Sequence, residues 1–361
     1  GLRFKLEGEQ LEKNQQSWYA NCPYYSDVNI TQKTVSPRLS GEHATGPLTH
    51  RWTLGFELEE IESTTNSGSS PKGATTFTTV GNRRDKTWYL HDVINLSDKI
   101  ALTVGARQSH VSTRFDSGGF ITRTRDELEM YQVGIQYKPV EQFALFANSE
   151  RSARLANFDE FSFSDGILKP QTGWLHSTGA SWDQGPQHSI LTLWHGEFDD
   201  EIVYDPSAGL FGANTNLDDQ TRRQGATLNS RWTISDSVFA TLNGTLQSSR
   251  YADGPNRDKH IPLVPIMSTY VQLDWRALDW MKWSLAHRYI GERTFDGDDA
   301  NQFDTLPSYH WTDLVTTLNH NQLWLQIGVY NLTDELVADY GFRASTTYSA
   351  DPLPERHVMA S

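Results

Sequence analysis

Residues 51–59 read RWTLGFELE, and there Trp52, Leu54, Phe56 and Leu58 alternate with Arg51, Thr53, Gly55, Glu57 and Glu59. A repeat of two belongs to an extended strand, whose side chains point in turn to opposite faces. The pattern recurs along the chain. Ile100, Leu102, Val104 and Ala106 alternate with Ala101, Thr103, Gly105 and Arg107, and Tyr131, Val133, Ile135 and Tyr137 with Gln132, Gly134, Gln136 and Lys138. Near the other end Leu323, Leu325, Ile327 and Val329 alternate with Trp324, Gln326, Gly328 and Tyr330. A helical repeat fits almost nowhere, so the expected fold is all-β, with about 17 strands, many of them about 10 to 14 residues long. Strands of water-soluble sheets are usually shorter, about five or six residues.

The connections alternate as well. Short turns are expected at residues 96–98, 138–141, 184–187, 235–236, 277–281 and 319–322. Long polar loops are expected at 114–126, 153–171, 205–221, 251–265, 292–308 and 332–355. One end of the sheet is trimmed and the other elaborated, the asymmetry of an antiparallel transmembrane β-barrel. Tyr131 and Tyr137 bracket one apolar face about 20 Å apart at the usual strand rise, near the ~25 Å height of a barrel's lipid band. Trp283 and Tyr289 repeat the arrangement across Leu285 and His287. A β-propeller needs four short strands per repeat, and a soluble sandwich would have to hide all these apolar faces in one two-layer core.

Composition narrows the classes. The chain has 361 residues with a net charge of −14, and its 12 Trp, 14 Tyr and 16 Phe argue against disorder. The acidic balance opposes binding to nucleic-acid phosphates. No apolar run reaches the ~18 residues of a membrane helix, but barrel strands average to nothing in hydropathy and escape that test. The sequence opens Gly1-Leu2-Arg3, which reads as a mature or truncated product, and Cys22 is the only cysteine, a free thiol or one whose partner lies elsewhere. No His-Glu-x-x-His, Gly-x-Ser-x-Gly, phosphate-cradling glycine loop or Cys-x-x-Cys is present, so neither an enzyme nor a bound cofactor is expected. Asp296, Asp298, Asp299, Asn301 and Asp304 offer oxygen ligands but lack the glycine and terminal Glu of a calcium loop, and read as a solvated loop. His43, His50 and His110 are too scattered to be read as ligands.

Three stretches carry a resemblance. The first runs from Phe143 to Trp182: FALFANSERSAR, then Asn157-Phe158-Asp159-Glu160-Phe161, then Leu168-Lys169-Pro170-Gln171-Thr172. The second is Arg288-Tyr289-Ile290-Gly291-Glu292-Arg293 followed by Leu306-Pro307-Ser308-Tyr309 and Asp313, and the third is Val329-Tyr330-Asn331-Leu332-Thr333-Asp334. In this order they resemble the C-terminal barrel portion of TonB-dependent outer-membrane receptors. Gln171 stands where the family usually has Glu, and Thr333 where it has an aromatic residue. The resemblance implies about 22 strands around a plug. The expectation is therefore a partial barrel, residues 1–361 forming one domain incomplete at both ends, with the plug outside this sequence. It further implies a location in the bacterial outer membrane, contact with its lipid, coupling to TonB through the plug segment, and a ferric chelate as ligand.

Two groups of residues are candidates for the site. If the apolar set faces lipid, Arg107, Arg231, Asp274, Arg276, Arg288 and Asp313 point into the lumen, where they either dock a plug and guide a substrate or simply pair across the wall. Arg114, Arg154, Phe158, Phe161, Phe163, Arg222, Arg250, Tyr251 and Arg293 fall near the elaborated end, as candidates for an anionic or aromatic ligand. The expected function is energy-dependent import of a scarce nutrient, most often a ferric siderophore by resemblance. A passive pore or a surface adhesin on a similar barrel is the alternative.

Overall fold

Every alternating stretch quoted above is a strand in the computed structural model, which describes residues 1–19, 23–164, 166–205, 212–321, 323–343 and 348–361. Cys22 and the turn residue Gln322 lie outside the described residues. The first strands are β1 (Leu2–Tyr19), β2 (Tyr24–Thr45), β3 (Leu48–Gly68), β4 (Thr75–Asn95), β5 (Ile100–Ser117), β6 (Phe120–Val140) and β7 (Phe143–Arg154). A short helix α1 (Phe158–Ser162) precedes β8 (Gln171–Gln184), β9 (Gln187–Asp199), β10 (Ile202–Asp205), β11 (Ala213–Asn216), β12 (Thr221–Ser235) and β13 (Val238–Tyr251). The chain continues through β14 (Met267–Leu278), β15 (Met281–Ile290), β16 (Tyr309–His320), β17 (Leu323–Tyr330), β18 (Ala338–Arg343), β19 (Tyr348–Pro352) and β20 (His357–Ala360).

Sixteen strands form one sheet in chain order, except that β12 follows β9 and β20 follows β17; β10 with β11 and β18 with β19 make separate hairpins. Strands β1 and β20 are the two edges of the described sheet, so the barrel is not closed. The chain divides into two compact units, one of Gly1–Ile135, Asn148–Trp174 and Asp199–Asp218, the other of Gln136–Ala147, Leu175–Phe198 and Asp219–Ser361.

In the first unit Leu54 is opposite Leu39 and Leu90, Leu90 opposite Ala106, and Phe56 opposite Trp88. Directly opposed residues share a face. This face is exposed, Trp88 by 57% and Leu90 by 49%. The other face pairs Gly55 with Tyr89 and Tyr89 with Arg107, and farther along Thr87 with Ser109. In the second unit Leu273 is opposite Ala240 and Leu285, Trp275 opposite Trp283, and Thr316 opposite Ile327. Here too the apolar set is exposed, as at Leu323, Leu285 and Ile327. A continuous apolar face without a packing partner fits lipid, not a water-facing wall. We call it the outer face.

Three expectations change. Strands β1 to β6 run 18 to 22 residues, longer than the sequence reading. At the usual rise the longest spans roughly 70 Å, far beyond a ~25 Å lipid band even when tilted by ~45°. The polar loop expected at 114–126 is instead the tops of β5 and β6, joined by Gly118 and Gly119 at φ of 60° and 99°. Both faces turn polar once a strand leaves lipid, so apolar alternation stops while the strand does not. The loops expected at 205–221 and 332–355 contain the hairpins β10–β11 and β18–β19; residues 206–211 and 344–347 lie outside the described residues.

Candidate functional site at the elaborated end

The loop after β7 is built from its first residues. Asn157 caps α1 by accepting from Glu160 N at 2.8 Å, and the Glu160 carboxylate accepts from Asn157 N at 2.8 Å. This reciprocal capping box satisfies two amides that a helix start leaves unpaired. The same carboxylate receives Arg154 through Nη1 and Nη2, each at 3.0 Å. Phe115, Ala156, Phe161 and Leu168 form a buried cluster, with Phe158 and Ile202 packed against it. Phe158 lies over Gly81, where a Cβ would sit 2.4 Å from its ring, so only glycine lets the loop settle onto β4. Arg83 spans 5.3 Å to the Phe158 ring and donates to the Ala156 carbonyl. Asn214 and Asn216 tie the β10–β11 hairpin to the loop through Glu160 O at 3.1 Å and Lys169 O at 3.0 Å. Phe163 and Ile167, at 62% and 67% exposure, are left as an apolar tip on a fixed base.

The structure sorts the mouth residues. Arg154, Phe158 and Phe161 meet in this loop, but Phe161 is buried, which corrects its assignment as a ligand contact: it holds the loop together. Tyr251 is likewise buried, donating its hydroxyl to Asp299. Arg293 is 4% exposed, bonds the Ala338 and Asp339 carbonyls at 2.9 and 3.0 Å, and lies 5.4 Å from the Tyr309 ring centroid. Both are corrected from ligand contacts to struts, because a packed side chain has no free surface to offer. Arg114, Arg222 and Arg250 are placed by strand register. Arg114 is opposite Asn82 on the Trp88 face, and Arg222 is opposite Arg250 on the face of Leu228 and Leu246. All three therefore project from the outer face. Arg250 bonds His260 Nε2 at 3.1 Å, and Arg222 approaches Asp258 at 3.6 Å.

The six residues expected in the lumen occupy the face opposite the apolar set. Arg107 pairs with Glu57 at 3.0 Å. In the second unit, successive pairings place Arg231, Asp274, Arg288 and Asp313 on one face, and Arg276 follows Asp274 by alternation. Asp274 meets Lys282 at 3.6 Å, Arg276 lies 4.6 Å from the Phe239 ring centroid, and Asp313 accepts from Asn331 N at 3.0 Å. Asn331, at φ 52°, also bonds Glu335 and Pro354, so the Asn-Leu-Thr-Asp element is a turn keystone. The acidic stretch is spent on loop structure: Asp298 accepts from Gln302 N and Phe303 N, and Asp296 from Tyr340. Among the described residues no group of three metal-ligating side chains forms. His43 stacks on His50, which meets Asp92 at 2.7 Å, while His110 approaches Glu127 at 3.4 Å.

Sequence reading missed Arg83 and Ile167. The adjacent Arg83 and Arg84 put one guanidinium on each face by alternation alone, so a signal for Arg83 was present. Ile167 falls in an irregular loop where no period exists to read.

A family model described as TonB dependent receptor-like, beta-barrel matches residues 4–332. Among solved structures, the ferric citrate transporter FecA aligns with a TM-score of 0.80 at 15% identity, covering 99% of this chain and 58% of that one. The siderophore receptor PiuA from Acinetobacter baumannii aligns at 0.78 and 15%, with 99% and 61% covered. The ferric-catecholate import receptor Fiu from Escherichia coli K12 aligns at 0.75 and 16%, with 99% and 60% covered. At such identities the likeness concerns the fold, and the chain spans about three fifths of each structure's length. No curated protein matches the sequence.

Proposed function

Because the chain belongs to the TonB-dependent receptor family through its β-barrel domain, we propose that it forms barrel wall of an outer-membrane receptor that imports a ferric chelate with energy delivered through TonB. The whole receptor includes a plug and the remaining strands, and this chain contributes as a single, partial barrel domain. The observation that carries the reading is the loop after β7: a capped, tied and packed base that presents Phe163 and Ile167 to solvent with Arg154 close by in sequence. Exposed apolar side chains in a loop that also carries a guanidinium suit a chelate with flat organic groups and net negative charge. The relatives named for ferric citrate and ferric catecholates support that substrate class. The inner-face charges Arg107, Arg231, Asp274, Arg276, Arg288 and Asp313 line the route, Arg107 paired with Glu57 and Asp274 with Lys282.

The test is uptake of radiolabelled iron from a panel of ferric siderophores by cells carrying the intact receptor, with and without TonB. Uptake is expected to require TonB and to fall when Phe163→Ala and Ile167→Ala are combined, with heat-resistant barrel migration unchanged. Uptake that persists without TonB would establish the passive pore instead. Binding indifferent to the tip would remove that loop from the site.

A further inference from the structure

On the outer face of the first unit Arg84, Arg114, Arg123 and Arg125 line a concavity of about 750 Å³ together with Glu60 and Glu62. Arg84 shares the face of Trp88 by alternation, and Arg123 and Arg125 share that of Glu127, which meets the outward His110. Two of the guanidinium groups are engaged, Arg84 by Glu60 at 3.1 Å and Arg114 by Asp116 at 2.9 Å. Arg123 and Arg125 are exposed and, among the described residues, no carboxylate forms an ion pair with either. In a protein of net charge −14 this is a local reversal of sign.

Its height matters. Arg84 stands four residues past Trp88 toward the elaborated end, about 13 Å along the strand and less along the membrane normal of a tilted one. Headgroups occupy roughly 5 to 7 Å beyond each side of the hydrocarbon. Arginine side chains reach down across that gap, and their forked donors match a phosphate. The second unit repeats the offset independently: Arg250 stands four residues past the exposed Leu246 and directly opposite Arg222. There the Asp258 carboxylate, 3.6 Å from Arg222, supplies the anion that two directly opposed like charges need.

We propose that Arg84, Arg114, Arg123 and Arg125 form an outer-face binding site for a phosphorylated lipid headgroup of the surrounding leaflet. Continuity with the apolar face makes the occupant a lipid, since its chains lie along Leu90 and Trp88 while its phosphate meets the guanidinium groups. The proposal rests on the membrane placement of the barrel proposed above, and is independent of the imported ligand and of TonB.

The test adds bis-phosphorylated lipid A to the intact receptor in neutral detergent and counts bound lipid by native mass spectrometry. Combining Arg123→Gln with Arg125→Gln is expected to weaken binding at least tenfold, while heat-resistant migration and siderophore-dependent uptake stay as in the parent. Dephosphorylated lipid A should bind the parent as weakly as bis-phosphorylated lipid A binds the variant, and millimolar inorganic phosphate should not displace the lipid. Equal lipid binding by parent and variant, or by both forms of the lipid, overturns the site. Displacement by inorganic phosphate assigns it to a free anion instead of a lipid. Loss of uptake in the parent with lipid binding retained would undo only the import reading.

Discussion

Replacing Glu160 by Ala removes two functions from one carboxylate. It is the return half of the capping box, accepting from Asn157 N at 2.8 Å, and the bidentate partner of Arg154 at 3.0 Å. Loss of the return hydrogen bond from Asn157 N contributes about 1 kcal/mol, while the Asn157 cap itself is kept. The ion pair is discounted for solvent, because the side chains are 44% and 20% exposed, and adds about 0.5 kcal/mol. The sum, about 1.5 kcal/mol, acts on opening of the loop and leaves the barrel ladder untouched, so loop amides should exchange about tenfold faster. Hydrogen exchange of residues 155–170, measured alongside the amides of β7 and β8, is the assay. Glu160→Gln keeps an acceptor for Asn157 N and loses only the charge, so its acceleration should be clearly smaller. Unchanged exchange in Glu160→Ala, or equal acceleration throughout β7 and β8, would refute the view that this carboxylate organises the loop and nothing larger.

Three further outcomes follow from the same physics. Leu273→Arg puts a charge on the outer face near mid-strand and should lower barrel stability by about 2 to 4 kcal/mol in a lipid refolding titration, while Gln272→Arg on the other face should shift it far less. Arg293→Ala removes the buried guanidinium that bonds the Ala338 and Asp339 carbonyls, a loss of about 1 to 3 kcal/mol, and should admit protease between residues 332 and 356. His260 titrates below the ordinary 6.5 because burial and the Arg250 charge disfavour its cation. Its neutral form is the one the fold accepts, so its contribution is complete above pH 6.5 and is lost as pH falls below that value. Exchange in residues 252–266 should accelerate on acidification, and His260→Gln should flatten the response.

How far the sequence could be read depended on which solvent each segment meets. Where one face meets lipid, alternation is forced, and Trp52, Leu54 and Phe56 announce both the strand and its outward side. Above the lipid, Ser112, Arg114 and Asp116 keep the strand but carry no apolar marker, which is why the top of β5 reads as a loop. The mouth was legible as a set of residue types and illegible as contacts. Arg154, Phe158 and Phe161 do meet, yet whether an aromatic ring points to solvent, as Phe163 does, or into a cluster, as Phe161 does, depends on packing against β5 and the β10–β11 hairpin, far away in sequence. Arg293 and Tyr251 were read as free because their partners, Asp339 and Asp299, lie 46 and 48 residues away.

The neighbouring guanidinium groups of Arg83 and Arg84 bear on how such a strand is able to change over generations. One reaches the Ala156 carbonyl under the mouth loop, and the other meets Glu60 on the outside. Deleting or inserting a single residue between them and Trp88 would exchange the two sides at once, dropping the loop's support and presenting the wrong charge to the surroundings. Two-residue changes preserve sidedness and raise or lower the wall by about 7 Å. Lineages of this wall should therefore differ in height by even steps, with odd-length changes confined to its turns and loops.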